Sequence, residues 1–218
     1  MMNKPTEVCD LILSEQFDIL AITEAWLKGD ARDGPTLAEI PNTLHDYRLL
    51  KLPRKGKRGG GLCVILRNEY TIKRSHSFQT FECLEVTVSS SGQDTLTMIV
   101  IYRPPARGQS ATLLFTKFSK LLESANLLSS KLVICGDFNI HVDNLLDADT
   151  RTLQDLLESG GLQQLVLEET HVRGHTLDLL IVRECEDFVD NVKILHAMPS
   201  DHSAVTFSAR LSPPLQYS

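Results

Sequence analysis

The sequence contains no apolar run long enough to span a membrane, and its opening residues, MMNKPTEVCD, lack the apolar core of a secretory signal. Both absences predict a soluble, intracellular protein, nuclear or cytoplasmic and not secreted, with no membrane partner. CxxC pairs are missing too. The five cysteines, Cys9, Cys63, Cys83, Cys135 and Cys185, are an odd number, and four sit within apolar patterns. That placement predicts reduced core thiols and argues against a disulfide framework or a cysteine zinc site. Cations are in deficit, 22 Lys and Arg against 28 Asp and Glu, for a net charge of −6. Bulk electrostatics therefore repel a polyanion, although a local basic patch can still dock phosphate. Neither an internal repeat nor a low-complexity tract is present. What remains, 218 residues of which 42% are hydrophobic, suffices for one large α/β domain, expected as a monomer over residues 1–211 with a tail at 212–218.

The stretch Lys131 to Ile140, KLVICGDFNI, drives an apolar run, Leu132 to Cys135, directly into Gly136, Asp137, Phe138 and Asn139. A short continuous apolar run predicts a strand covered on both faces, and an extended continuation would point Asp137 and Asn139 the same way. A strand followed by an Asx-turn accounts for the same residues. Upstream, Pro5 to Gln16 has helical apolar spacing, and Asp18 to Thr23 is a buried strand ending in Glu24. Residues 25–53, punctuated by Gly29, Gly34, Pro35 and Pro41, predict a long irregular connection. Lys51, Arg54, Lys55, Lys57 and Arg58 then form the clearest basic cluster, closed by Gly59, Gly60 and Gly61; it is either a phosphate-contacting loop or a solvated hairpin tip.

Strands are expected at 62–66, 71–78, 83–88 and 96–102, the last stopped by Pro104 and Pro105 just beyond Tyr102. A helix follows at 111–129, then the GDFN strand, giving a strand, helix, strand unit. Beyond it the pattern predicts a loop over 141–149, a helix at 152–159, and strands at 162–167, 176–182, 189–197 and 204–211. Asp178 is anomalous. An ionised carboxylate among Leu177, Leu179 and Leu180 is costly without a cation, a His or several N–H donors beside it.

Separate strand ends thus present Glu24, Tyr102, Asp137 with Asn139, and Asp201 with His202. Glu24 and Asp201 suit a Mg²⁺ or Mn²⁺ ion, which takes one or two carboxylates plus water and phosphate. Asp178 is the best partner to orient His202 and stabilise its protonated form. Tyr102 and Asn139 supply neutral donors, and Asp137 a base for water.

Taken in order, TEAWL at Glu24, YRPP at Tyr102, GDFN at Asp137, HTLDLLI at Asp178 and SDH at Asp201 resemble the motifs of the endonuclease/exonuclease/phosphatase superfamily. GDFNIH, THxxGHTLDLLI and SDHxxV look most like the endonuclease domain of non-LTR retrotransposons of the long interspersed element type. The resemblance runs from about Lys4 to Leu211. It implies a DNase I-like four-layer α/β sandwich of two mixed sheets with helices outside, and metal-dependent phosphodiester hydrolysis. It further implies that Glu24 and Asp201 serve the metal, that Tyr102 and Asn139 contact the phosphate, that Asp137 activates water, and that Asp178 and His202 act as a pair. The implied partner is DNA, nicked to leave a 3′ hydroxyl for a reverse transcriptase, with Arg54, Lys55, Lys57 and Arg58 placed for backbone contacts. A lipid phosphodiesterase or phosphatase of the same fold, and an inactive retroelement-derived binding protein, are the alternatives.

The pattern departs from the family at its start. The family's first strand carries an Asn near the metal; here the sequence opens on the helix that follows it, and Asn3 comes too late to supply that residue. The expectation is an N-terminally truncated domain whose first strand is missing.

Overall fold

The computed structural model describes residues 4–27, 30, 34–54, 60–78, 82–89, 94–105, 111–196 and 200–211. Asn3, Lys55, Lys57, Arg58 and the 212–218 tail lie outside the described residues. In chain order the first half runs α1 (Pro5–Glu15), β1 (Ile19–Ile22), α2 (Gly34–Thr43), β2 (Tyr47–Leu52), β3 (Leu62–Arg67), β4 (Thr71–Phe78), β5 (Glu82–Ser89) and β6 (Thr95–Tyr102). The second runs α3 (Ala111–Asn126), β7 (Lys131–Asp137), α4 (Ala148–Ser159), β8 (Leu162–Gln164), β9 (Asp178–Arg183), β10 (Val189–Leu195) and β11 (Ala204–Ala209).

Alternation along the strands divides the apolar residues between two faces, and three cores separated by two sheet layers result. In β7, Leu132 and Ile134 join Phe115, Phe118 and Leu121 of α3 and Leu153 and Leu157 of α4, while Val133 and Cys135 face the opposite way. In β3, Leu62, Val64 and Leu66 meet that opposite face, and Cys63 and Ile65 pack under Val8 and Ile12 of α1 and Ile40 of α2. Helices, sheet, sheet, helices is therefore the layer order. This is the four-layer α/β sandwich expected from the sequence.

One sheet has six strands in the order β4-β5-β6-β7-β9-β8, with β6 and β7 parallel across the α3 crossover and their other neighbours antiparallel. The facing layer comes in two pieces, β1-β3-β2 and β10-β11. Among the described residues β1 pairs with β3 alone and β11 with β10 alone, and a cleft of about 810 Å³ lies between β1 and β11. Leu96, Met98, Val100 and Leu180 line the cleft, and Ile19, Ala21, Val205 and Phe207 at its sides are only half-buried.

Residues 25–53 correct the sequence expectation. They hold α2 and β2, not a long irregular connection, because Ile40 and Leu44, one helical turn apart, bury against α1 and the β1-β3-β2 sheet despite Pro41. Helix α4 begins four residues earlier than expected, since the Asp147 side chain caps it by accepting from the Asp149 N–H at 2.7 Å. All five cysteines are free, and burial pushes the Cys63 thiol up to about 12. No described helix is long and apolar enough to cross a membrane.

Candidate active site

Tyr102, Asp137 and Asp178 form one row across three adjacent strands. Tyr102 is the register partner of Asp137 in the β6–β7 pair, and Asp137 that of Asp178 in the β7–β9 pair. Register partners project to the same sheet face. Here it is the face toward the second layer, as Val100, Cys135 and Leu180, each two residues along, all belong to the inter-sheet core. Gly136 makes the row possible: its φ is +129°, and a Cβ there would lie 2.0 Å from the Ile101 carbonyl oxygen. Only glycine lets β7 lie so close to β6 immediately before Asp137.

The extended geometry expected for Asp137 and Asn139 does not persist. Strand β7 ends at Asp137, and Asn139 adopts a left-handed φ of +46° that folds its side chain back. Its Nδ2 donates to Asp137 Oδ2 at 2.8 Å and to the Arg103 carbonyl at 2.7 Å, and its backbone N–H donates to Asp137 Oδ1 at 2.9 Å. Both amide hydrogens of Asn139 are thus engaged in holding a carboxylate that is only 4% exposed. The Asx-turn and the shared pocket are one feature.

Glu24 reaches the row from the end of β1, and the Tyr102 hydroxyl donates to its Oε1. Glu24 and Trp26 both have positive φ, 48° and 58°, conformations costly for these residue types and here fixed by the Ala25 and Trp26 N–H groups on the Gly61 and Gly60 carbonyls, at 2.9 and 2.8 Å. The glycine run therefore anchors the Glu24 loop. Arg54, one of the residues expected to meet a phosphate backbone, places its Nε 2.7 Å from Glu82 Oε1, while Glu82 Oε2 accepts from the Gly61 N–H at 2.5 Å.

The half-buried Asp178 has the partner its surroundings demand: His202 Nδ1 lies 2.7 Å from Asp178 Oδ2. Asp201 lines the same cleft as Glu24, but its side chain is 70% exposed and its Oδ2 is 3.7 Å from His171 Nε2. Glu24, Asp137, Asp178, Asp201 and His202 thus line the cleft between the layers, with Tyr102 and Asn139 bonded to Glu24 and Asp137. Three supporting residues were not singled out from the sequence. Arg103, inside the YRPP motif, donates its N–H to the Asp137 carbonyl at 2.8 Å and pairs with Asp149 at 3.0 Å. Thr170 Oγ1 accepts from the Leu177 and Asp178 N–H groups, each at 3.0 Å, and His171 packs edge-on against His202 with centroids 4.8 Å apart. The THxxGHT motif was their signal.

Electrostatics set distinct protonation states. Burial pushes the Asp137 carboxyl up to about 7, and the Asp178 charge adds to it, against opposition from His202 and the Asn139 N–H. Burial works against the charged form of His202, but its hydrogen bond to Asp178 and that group's charge prevail, aided by Asp137 and Asp201, and raise it to about 9. Burial and the Glu24 bond keep Tyr102 protonated. Carboxylates outnumber the imidazolium in a partly dry cleft, an imbalance a hard dication corrects, and the oxygen donors Glu24, Asp137, Asp178 and Asp201 suit Mg²⁺ or Mn²⁺. The ligand atoms of Asp137, Asp178 and His202 lie within 4.8 Å of one another.

A family model described as "Endonuclease/Exonuclease/phosphatase family" matches residues 1–202. No curated protein matches. Among solved structures, the chain is similar to the endonuclease domain of TRAS1, a telomere-specific non-LTR retrotransposon, at 15% identity and a TM-score of 0.70, covering 94% of this chain and 91% of that one. It is similar to the 3′ phosphatase NExo from Neisseria bound to product DNA hairpin, at 17% identity and TM-score 0.71, covering 95% of each chain. The Xenopus laevis APE2 catalytic domain gives TM-score 0.73 at 14% identity, covering 94% of this chain and 88% of that one. At such identities the likeness establishes the fold.

Proposed function

The chain belongs to the endonuclease/exonuclease/phosphatase family, and from that premise we propose that it is a Mg²⁺- or Mn²⁺-dependent phosphodiesterase that nicks DNA, of non-LTR retrotransposon origin. The observation that carries this reading is the Tyr102–Asp137–Asp178 row, closed by His202 on one side and Glu24 on the other. DNA as substrate is supported by the GDFNIH, THxxGHTLDLLI and SDHxxV strings and by the likeness to structures whose names specify a retrotransposon endonuclease and bound product DNA.

Asp137, with its carboxyl poised near neutrality and oriented by Asn139 and Arg103, takes a proton from the attacking water. His202, held cationic by Asp178, offers its charge to a phosphoryl oxygen as negative charge develops there. Tyr102 stays protonated and supplies a hydroxyl donor beside Glu24. Glu24 and Asp201 would hold the dication, which supplies Lewis-acid neutralisation of the phosphate. The P–O3′ bond breaks and the departing O3′ takes a proton from solvent, leaving a 5′ phosphate and a 3′ hydroxyl.

Nicking of supercoiled plasmid in Mg²⁺ or EDTA tests the reading, using the chain, Asp137→Ala and His202→Ala. Mg²⁺-dependent nicking that falls at least ~100-fold in each variant is expected for loss of a base or a charge-stabilising group. Nicking at equal rates by chain and variants would refute it. One observation, the split second layer beside the site, favours a second reading as a non-catalytic retroelement-derived binding protein. Plasmid bound but left intact in Mg²⁺ would select that reading.

A further inference from the structure

A second group of donors lies outside the row. His141 and Asp143 follow the GDFN turn, and His175 closes the loop that precedes β9. Their ligand atoms lie within 4.8 Å of one another. His175 Nδ1 is 3.1 Å from Asp143 Oδ2, and the His141 and His175 rings meet edge-on with centroids 4.1 Å apart. The other carboxylate oxygen of Asp143 accepts from the Thr176 N–H at 3.1 Å, which fixes the carboxylate plane and leaves Oδ2 turned toward the imidazoles. The His175 carbonyl accepts from the Thr170 and His171 N–H groups at 2.9 and 3.0 Å, so the loop carrying the ring is itself tied down. The side chains of His175 and Asp143 remain about one-third exposed, at 36% and 33%, which leaves room for entry and for a bound water.

We propose that His141, Asp143 and His175 form a separate structural metal site for one borderline dication of the zinc class, with water completing a tetrahedron. Two imidazoles and one carboxylate are a donor set suited to zinc and poorly suited to Mg²⁺, which prefers oxygen throughout. The orienting bond from Thr176 to Asp143 is the outer support that such ligands ordinarily have. The ion staples two loops that also meet through the His175–Asp143 contact, the Thr176–Asp143 hydrogen bond and the ring packing. Those loops lead away from Asp137 and into Asp178, so the staple fixes the two carboxylates of the row from outside the cleft, without touching substrate.

The site is tested by metal uptake, independently of any activity. Co²⁺ is titrated into the chain in excess Mg²⁺ and followed by visible absorption, with Zn²⁺ as competitor, for the chain and for His141→Ala, His175→Ala, Asp143→Asn and His202→Ala. We expect one tightly bound Co²⁺, displaced by Zn²⁺, with affinity lowered at least ~10–100-fold in the first three variants and unchanged in His202→Ala. The thermal midpoint rises with Zn²⁺ in the chain and in His202→Ala, and does not in His141→Ala, which forfeits only ring packing and so keeps the fold. Absence of uptake, or uptake lost in His202→Ala and retained in His141→Ala, would overturn the proposal; the second result places the ion in the cleft. Loss of plasmid nicking with Co²⁺ uptake intact would refute the endonuclease reading and leave this site standing.

Discussion

His202 Nδ1 lies 2.7 Å from Asp178 Oδ2, and Asp178 is in turn the register partner of Asp137. One ion pair therefore ties the protonation of an acid to that of its neighbouring base. If Asp137 must be ionised and His202 protonated, the rate rises as pH climbs through about 7 and falls as it passes about 9. Asp178→Asn removes the largest of the influences that raise His202, leaving only Asp137 and Asp201, so the descending limb should move down toward the ordinary imidazole value of 6.5. Initial nicking rates against pH check this. A descending limb unmoved in Asp178→Asn would detach the pair from catalysis.

The same shifts make stability fall with pH. His202 has a folded value raised from 6.5 to about 9, so its contribution is whole below about 6.5 and is lost as pH rises through about 9. Asp137 is an acid raised from 3.8 to about 7: the folded state holds a proton that the unfolded state releases, and stability declines between those values. Asp137→Asn should accordingly stabilise the metal-free chain at pH 8 by about 2–4 kcal/mol while abolishing activity. Urea unfolding at pH 4 and pH 8 measures it. Equal stabilisation at both values would show that charge burial is not the cause.

The strand ends were legible because each couples a buried apolar run to a polar residue type; four of the five motif segments line one cleft, and the fifth joins them through the Tyr102 hydroxyl on Glu24. What brought them together was partly different. Alternation predicts a shared direction for Asp137 and Asn139, whereas a left-handed turn achieves it, because nothing in the residue types distinguishes a strand that continues from one that turns at Asn139. Helix α2 was hidden by Gly34, Pro35 and Pro41, breakers whose local effect is outweighed by burying Ile40 and Leu44. The split of the second layer was foreseeable only from the family's strand count, since the sequence of β1 does not declare which of its edges is covered.

Gly136 offers a sharper test of how the row is built. Its alanine variant needs both an unfavourable positive φ and the displacement of the Ile101 carbonyl, which would be 2.0 Å from the new carbon. The neighbouring β6–β7 ladder is central and buried, so relaxation is costly, and a loss of roughly 3 kcal/mol or more is expected. Denaturant unfolding of Gly136→Ala reads that loss. An unfolding midpoint equal to that of the unaltered chain would mean that β6 and β7 are not so closely apposed beside Asp137.

Trp26 is the sole tryptophan of the chain, lies two residues past Glu24, and is 47% exposed. Its backbone is held by the Gly60 carbonyl, so its exposure is imposed by the same contact that fixes the Glu24 loop. An aromatic face so placed suits a nucleobase flanking the scissile phosphate, and stacking of this kind amounts to about 1–3 kcal/mol per base. An oligonucleotide should therefore quench the fluorescence of the unaltered chain, where the signal has a single source. Trp26→Ala should weaken DNA binding by roughly tenfold or more, raising KM for plasmid nicking, while hydrolysis of bis(p-nitrophenyl) phosphate, which has no nucleobase to stack, stays the same. Emission indifferent to DNA under conditions where nicking proceeds would mean the substrate passes the cleft on another side, and the exposure of Trp26 would then need a different partner.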